Sequence, residues 1–264
     1  MKLSVITVNL NNKSGLKKTI ESVVSQTYRD FEWIIIDGGS TDGSRELIEE
    51  YADCLSYWVS EPDQGIYNAM NKGIRASCGE YLLFLNSGDC LYNKDVLHNV
   101  VPLLSDKDIY VGNEKRGNVI WEPEVDDIGD MCELMTVRNI PPQSTFVHRR
   151  VFDIYGPYDE NKKIMSDWDL FYKALILGTA TIEKLPYIIS DFDIYGISTI
   201  QTKLGYDEKM EYLADMPRLK NIAYFHAYNY SVVRALKSSN FIFLLFRIYY
   251  FFYRKILSKY DLYF

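Results

Sequence analysis

The sequence is short of cysteine: four are present, Cys54, Cys78, Cys90 and Cys132, and no two form a CxxC pair. Neither a zinc site nor a disulfide framework is therefore indicated. Internal repeats and low-complexity segments are absent, so 264 residues read as one large domain, or one domain with a small appendage. No apolar run reaches the ~20 residues that a membrane-spanning helix needs. The start, Met1-Lys2-Leu3-Ser4-Val5, has no charged segment leading into an apolar one. No signal peptide is read there, and a cytoplasmic protein is expected.

Hydrophobic residues make up 47% and charged residues 25%, ordinary for a chain that buries a core, whereas aromatics reach 15%. The net charge of −7 is uneven. From Arg218 to Phe264 there are eight basic residues and one acid, leaving a body of −14 with a basic tail of +7. An acidic body is a poor partner for nucleic acid, and the tail points to a partner of a different kind.

Over the first hundred residues strand and helix patterns alternate. Strands are expected at Leu3–Val8, Trp33–Ile36, Tyr57–Val59 and Tyr81–Leu85, and helices at Leu16–Gln26, Ser44–Tyr51, Ile66–Ser77 and Lys94–Leu104. This order predicts βαβ units, an α/β fold and a mostly parallel sheet flanked by helices. Ligands of such sheets bind beyond the carboxyl ends of the strands. There the sequence turns polar each time: Thr7-Val8-Asn9, Asp37-Gly38-Gly39-Ser40, Glu61-Pro62-Asp63-Gln64-Gly65 and Asn86-Ser87-Gly88-Asp89. The last cluster reads either as an Asx-type turn or as part of a phosphate–metal site. Convergence of four polar ends on one rim favours the site.

After Ile109 the alternation weakens. Residues 139–147 read as a loop entering a strand, Asp167–Leu177 as a helix, and Ile182–Ser190 as a strand that Pro186 places at an edge. In Ser166-Asp167-Trp168-Asp169 two readings stand. Ser166 caps the helix with Asp169 completing a capping box, or Asp167 is a general base whose carboxyl the helix N-terminus depresses. His148, with Val147 and Val151 suggesting local packing, reads as structural, and Gly196-Ile197-Ser198 as either a turn or an acceptor-side loop.

These motifs resemble bacterial family-2 glycosyltransferases of the GT-A type. The resemblance is carried by Ser4–Asn9, Ser25-Gln26-Thr27-Tyr28, Ile36–Gly43, Glu61–Gly73, Phe84–Asp89 and Asp167-Trp168-Asp169-Leu170, and covers about residues 1–200. It implies a Rossmann-like GT-A catalytic domain at 1–205 (donor half about 1–110, acceptor half about 111–205) and a helical extension at 206–264. It implies inverting, non-processive transfer from a nucleotide sugar, with UDP-sugars favoured, to an acceptor hydroxyl of a glycan or lipid-linked polysaccharide intermediate. Thr7 and Asn9 would line the nucleotide pocket, Asp37 and Asp63 would hold the nucleoside, and Asn86 and Ser87 would stand at the donor turn. Asp89 would bind a divalent metal, Mg²⁺ or Mn²⁺, on the diphosphate. Asp167 would be the catalytic base with Trp168 beside it, and Gln143 would touch donor or acceptor. The chain departs from the pattern at Asn86 and Gly88, which leave Asp89 the one acid of its turn. It departs again at Met70, where relatives often carry Arg and where Lys72 would compensate, and at Ser166, where Glu commonly precedes the base. No Gln-x-x-Arg-Trp segment is present, hence the non-processive expectation.

Two other readings stand beside this one. A degenerate nucleotide-sugar-binding scaffold is compatible with Asn86, Gly88 and Met70. A sugar nucleotidyltransferase would want a Gly-rich basic loop after the first strand, and Asn9-Leu10-Asn11-Asn12-Lys13 is not one. In the tail, Phe241–Tyr253 is aromatic, and the six basic residues from Arg234 to Lys259 fall within roughly 160° of helical arc. That pattern suits an anionic membrane interface, making the protein peripheral at the inner face of the plasma membrane; the alternative is packing on the body or on a second copy as a homodimer.

Overall fold

The structure, a computed structural model, describes residues 2–123, 125, 135, 139–194, 196 and 202–212. The first half follows the expected alternation. β1 (Leu3–Asn9), α1 (Lys13–Val24), β2 (Glu32–Asp37), α2 (Ser44–Glu50), β3 (Tyr57–Ser60), α3 (Ile66–Ala76) and β4 (Tyr81–Phe84) come in order. The β-branched and aromatic run of β1 is buried on both faces, as a central parallel strand requires. β1 pairs in parallel with β2 on one side and β4 on the other, and β2 pairs in parallel with β3. Asn12 caps α1 by accepting the Gly15 N–H at 3.1 Å. The expected Lys94–Leu104 helix divides into α4 (Val96–Val100) and a 3₁₀ turn at Val101–Leu103, because Pro102 cannot continue the α pattern.

Among the described residues the second half completes one nine-stranded sheet with β5 (Cys90–Leu91), β6 (Ile109–Arg116), β7 (Val119–Trp121), β8 (Thr145–His148) and β9 (Ile182–Phe192). β8 runs antiparallel to both β4 and β6, and β9 runs parallel to β6, so the sheet is parallel from β3 to β4 and mixed beyond. Pro186 falls in an irregularity of the β6–β9 register, where β9 has a strand on one side; β5 reaches it only at Ser190 and Asp191. Further helices among the described residues are α5 (Arg149–Tyr155), α6 (Ser166–Tyr172), which runs on as a π turn at Lys173–Leu177, and α7 (Thr202–Tyr212).

Apolar layers cover both faces of the sheet. One contains Ile6, Ile34, Leu82, Val147 and Trp168, and the other Val5, Trp33, Leu83 and Phe146. The expected boundary at residue 205 lies inside α7, whose Met210 joins the first of these layers. No helix among the described residues is long and apolar enough to cross a membrane. The basic aromatic stretch Phe241–Tyr253, Cys132 and most of Gly196-Ile197-Ser198 lie outside the described residues.

Candidate active site

The ends of β1, β2 and β4 are held side by side by backbone hydrogen bonds from Gly38 to Asn9, Leu85 to Ile6 and Ser87 to Val8. A cavity of about 410 Å³ opens there, within the usual range of small-molecule sites. The turn after β4 is fixed from α1: Asn12 donates to the Ser87 carbonyl, while Thr19 donates to the Asp89 carbonyl and accepts the Gly88 N–H. The Asp89 N–H bonds the Asn86 carbonyl at 3.0 Å, so the backbone closes this turn and the Asn86 side chain does not. Oδ1 of Asn86 is instead a buried acceptor with no partner among the described residues, as is Oδ1 of Asn9. Gly88 has φ of +110°, and a Cβ there would lie 2.6 Å from Asp193 Oδ2. Asp193 thus packs against the turn, and its N–H donates to Asp89 Oδ1 at 2.9 Å. Burial, opposed by that N–H and reinforced by the charges of Glu114 and Asp193, pushes the Asp89 carboxyl up to about 8.

Asp167 reaches the same cavity from the first turn of α6. The Tyr67 hydroxyl of α3 lies 2.9 Å from its Oδ1, and the Asn139 amide donates to Oδ2 at 2.8 Å. Burial nevertheless raises the Asp167 carboxyl above the usual carboxylate range, with these donors opposing it. The expected depression by the helix end is overturned: desolvation outweighs the dipole. Tyr67 is itself pushed well above its ordinary range by burial and by the Asp167 charge, so it stays protonated. Met165 rather than Ser166 occupies the N-cap position, and the Ser166 hydroxyl accepts the Asp159 N–H instead.

Asn9, Asp63, Asn86, Ser87, Asp89, Gln143 and Asp167 all line the cavity. Asp63 accepts the Gly65 N–H at 2.9 Å and packs on Gly38, where any Cβ would collide with its carboxylate. Gln143 is held by the buried carboxylate of Glu114. Four expected residues do not line it. Thr7 is fully buried and accepts from the Trp33 indole at 3.2 Å. Asp37 is fully buried, and its carboxylate takes four donors, from Asn9, the Ser40 N–H and hydroxyl, and Ser60. Lys72 is bound to Glu61 at 2.7 Å. Trp168 is a core residue whose indole donates to the Met135 carbonyl at 2.6 Å and stacks on Tyr172. His148 is structural as expected: its Nδ1 accepts the Arg150 N–H at the start of α5.

Sequence reasoning missed Tyr67, Asn139, Asp193 and Lys163. Tyr67 and Asn139 stood within the motifs already singled out, but their contacts to Asp167 join positions 100 and 28 residues apart. Nothing in the local sequence distinguishes Asp193 or Lys163.

The sequence model of Glycosyl transferase family 2 matches residues 4–144, which carry the β1, β2 and β4 rim. The chain belongs to glycosyl transferase family 2. An uncharacterised glycosyltransferase of Mycobacterium tuberculosis (strain ATCC 25618 / H37Rv) is 32% identical over 211 residues, 75% of this chain and 77% of the relative. A "PGL/p-HBAD biosynthesis glycosyltransferase" of Mycobacterium bovis (strain BCG / Pasteur 1173P2) is 29% identical over 201 residues, 73% of this chain and 77% of that one. Among solved structures, S. aureus TarS 1-349 in complex with UDP-GlcNAc superposes with a TM-score of 0.67 at 17% identity, covering 91% of this chain and 76% of TarS 1-349. Mannosyltransferase PcManGT from Pyrobaculum calidifontis, in complex with GDP-Man and Mn²⁺, gives 0.62 at 17% identity, covering 90% and 76%. These similarities establish the GT-A fold of this family-2 glycosyltransferase.

Proposed function

We propose that this glycosyltransferase transfers a sugar with inversion from a UDP-sugar to a hydroxyl of a glycan or lipid-linked acceptor, assisted by Mg²⁺ or Mn²⁺. The observation that carries the reading is the pair of buried, raised carboxylates in one cavity, Asp89 at the donor turn and Asp167 at the start of α6. Asp89 comes from the turn after β4 and Asp167 from the start of α6, so the two enter the cavity from different elements, as direct displacement with donor and acceptor on opposite sides of the anomeric carbon requires.

Asp89 fits a cation shared with substrate. Its carboxylate is desolvated, receives one backbone donor and faces a second acid, and a bound cation would relieve that cost. Among the described residues no group of three or more His, Cys, Asp or Glu could hold a metal, so the donor phosphates would supply further ligands. When bound, such an ion neutralises charge developing on the departing diphosphate. The unpartnered Asn9 and Asn86 oxygens would accept from the nucleoside or the sugar hydroxyls; Asn9 is held in place by Asp37. Asp167, oriented by Tyr67 and Asn139, would take the acceptor proton as the new bond forms, and its raised carboxyl makes it the stronger base for doing so. A lipid-linked acceptor fits a basic, aromatic tail resting on an anionic membrane face; sedimentation with anionic liposomes that survives removal of the chain after Met216 would refute that part.

The test is hydrolysis of, and transfer from, a panel of UDP-sugars with Mn²⁺ or Mg²⁺. Activity is expected to drop about 10²–10⁴-fold in Asp167→Asn. Activity that survives both Asp167→Asn and Asp89→Ala would sink the mechanism.

A further inference from the structure

Four acids line the cavity, Asp63, Asp89, Asp167 and Asp193, and Lys163 is the one Lys or Arg among its described lining residues. Lys163 is exposed and, among the described residues, enters no ion pair, whereas its neighbour Lys162 pairs with Glu211 at 3.5 Å and Lys72 pairs with Glu61 at 2.7 Å. The backbone beneath Lys163 is fixed unusually firmly. Glu208 of α7, itself buried, accepts the N–H groups of Lys163 at 2.7 Å and of Ile164 and Met165 at 3.0 Å each. The Ile164 carbonyl in turn accepts from the Tyr67 hydroxyl at 2.5 Å. One carboxylate from the C-terminal side thus clamps three consecutive amides just ahead of α6.

We propose that Lys163 is a phosphate-binding residue of this cavity and that Glu208 is the positioning residue that aims it. A substrate carrying two or more negative phosphoryl oxygens would otherwise meet a rim of carboxylates, and a cation on a rigid loop lowers that repulsion at little ordering cost. Met70, buried in the wall of the same cavity, supplies no charge. Lys163 and Glu208 both lie beyond residues 4–144, so the part of the chain matching the family model does not contain this contact. The phosphate belongs either to the donor diphosphate or to a phosphorylated acceptor. The inference rests on the nucleotide-sugar reading above.

The experiment compares binding of UDP and of uridine by calorimetry, then competition by geranyl diphosphate with UDP saturating, in wild type, Lys163→Ala, Lys163→Arg and Lys162→Ala. Loss of a charged hydrogen bond predicts UDP weakened about 10- to 100-fold in Lys163→Ala with uridine unchanged, recovered in Lys163→Arg and unaffected in Lys162→Ala. UDP unchanged but geranyl diphosphate weakened by the same factor assigns the phosphate to the acceptor and also supports the role. Both ligands unchanged in Lys163→Ala, or an equal loss in Lys162→Ala, overturns it while leaving the donor reading intact. A wild-type protein that binds UDP no better than uridine overturns the donor reading and the inference with it. Glu208→Ala is expected to weaken UDP less than Lys163→Ala does, and to have no further effect when combined with it.

Discussion

Asp37 and Asp89 close two strands of the same rim, β2 and β4, on either side of β1, and both are buried. Yet Asp37 receives four hydrogen bonds and is held below the usual carboxylate range, because Ser40, Ser60 and Asn9 outweigh its burial. Asp89 receives one backbone bond, faces Glu114 and Asp193, and is pushed up to about 8. Asp89 is the more deeply desolvated of the two and has the fewer donors, and the outcomes are opposite. A carboxylate that the protein has satisfied orders its loop, while one left under-satisfied is available to a cation from outside.

Exchange of Asp89 for Asn should separate the two most sharply. Transfer is expected to fall about 10²-fold or more, on the scale of losing one transition-state electrostatic contact, and stabilisation by UDP with Mn²⁺ should vanish in a thermal-shift assay. The ligand-free variant should be the more stable one at alkaline pH. A carboxyl raised on folding contributes fully below its unfolded value near 4, and that contribution is lost as the pH climbs through about 8. The Tm of Asp89→Asn should therefore exceed that of wild type at pH 8.5, by about 2–4 °C per kcal/mol, and the gap should close towards pH 5. A gap independent of pH would break the comparison.

Tyr67→Phe comes next, extending the comparison to Asp167. Its hydroxyl opposes the rise of the Asp167 carboxyl, so removing it should lift that carboxyl further and move the acidic limb of the kcat/KM profile to higher pH. The expected loss at pH 7 is about tenfold, one hydrogen bond's worth. An unmoved limb would mean that the hydroxyl serves only the Ile164 carbonyl.

Asp37→Asn should affect rate least and stability in the opposite sense to Asp89→Asn. Losing charge-assisted bonds from two hydroxyls should cost about 1–3 kcal/mol. Because the folded carboxyl is depressed, that contribution is full above the unfolded value and disappears as the pH falls through the folded one, which denaturation at pH 7 and pH 3 would reveal.

The β1–β4 part of the fold was legible in the sequence because its information is local. Apolar runs mark β1, β2, β3 and β4, and polar residues follow each of them at once, so Asn9, Asp63 and Asp89 could be placed on a rim from the sequence alone. Which of those polar residues turn inward was not legible. Thr7 and Trp168 have the right motif positions, but their side chains satisfy Trp33 and Met135. Ser166 has the look of a cap, and its hydroxyl is taken by Asp159. The rest of the sheet depends on long-range pairing. β5 has two residues, and Ile109–Arg116 and Val119–Trp121 form a hairpin around Gly117 that periodicity did not mark. The clamp of Glu208 on Lys163 spans 45 positions and leaves no trace in local pattern.

The reversal between β4 and β8 has a further consequence. Since β8 runs against its neighbour, it delivers its beginning, and with it Gln143, to the rim where β4 delivers its end. The other end of β8 is riveted by Arg149, whose guanidinium binds the carbonyls of Ile74, Ser77 and Gly79. The seam is therefore fastened at the end of β8 that lies away from the cavity. That makes it a natural graft line, along which a different second half of the sheet could be joined to the β1–β4 half with its rivets left in place.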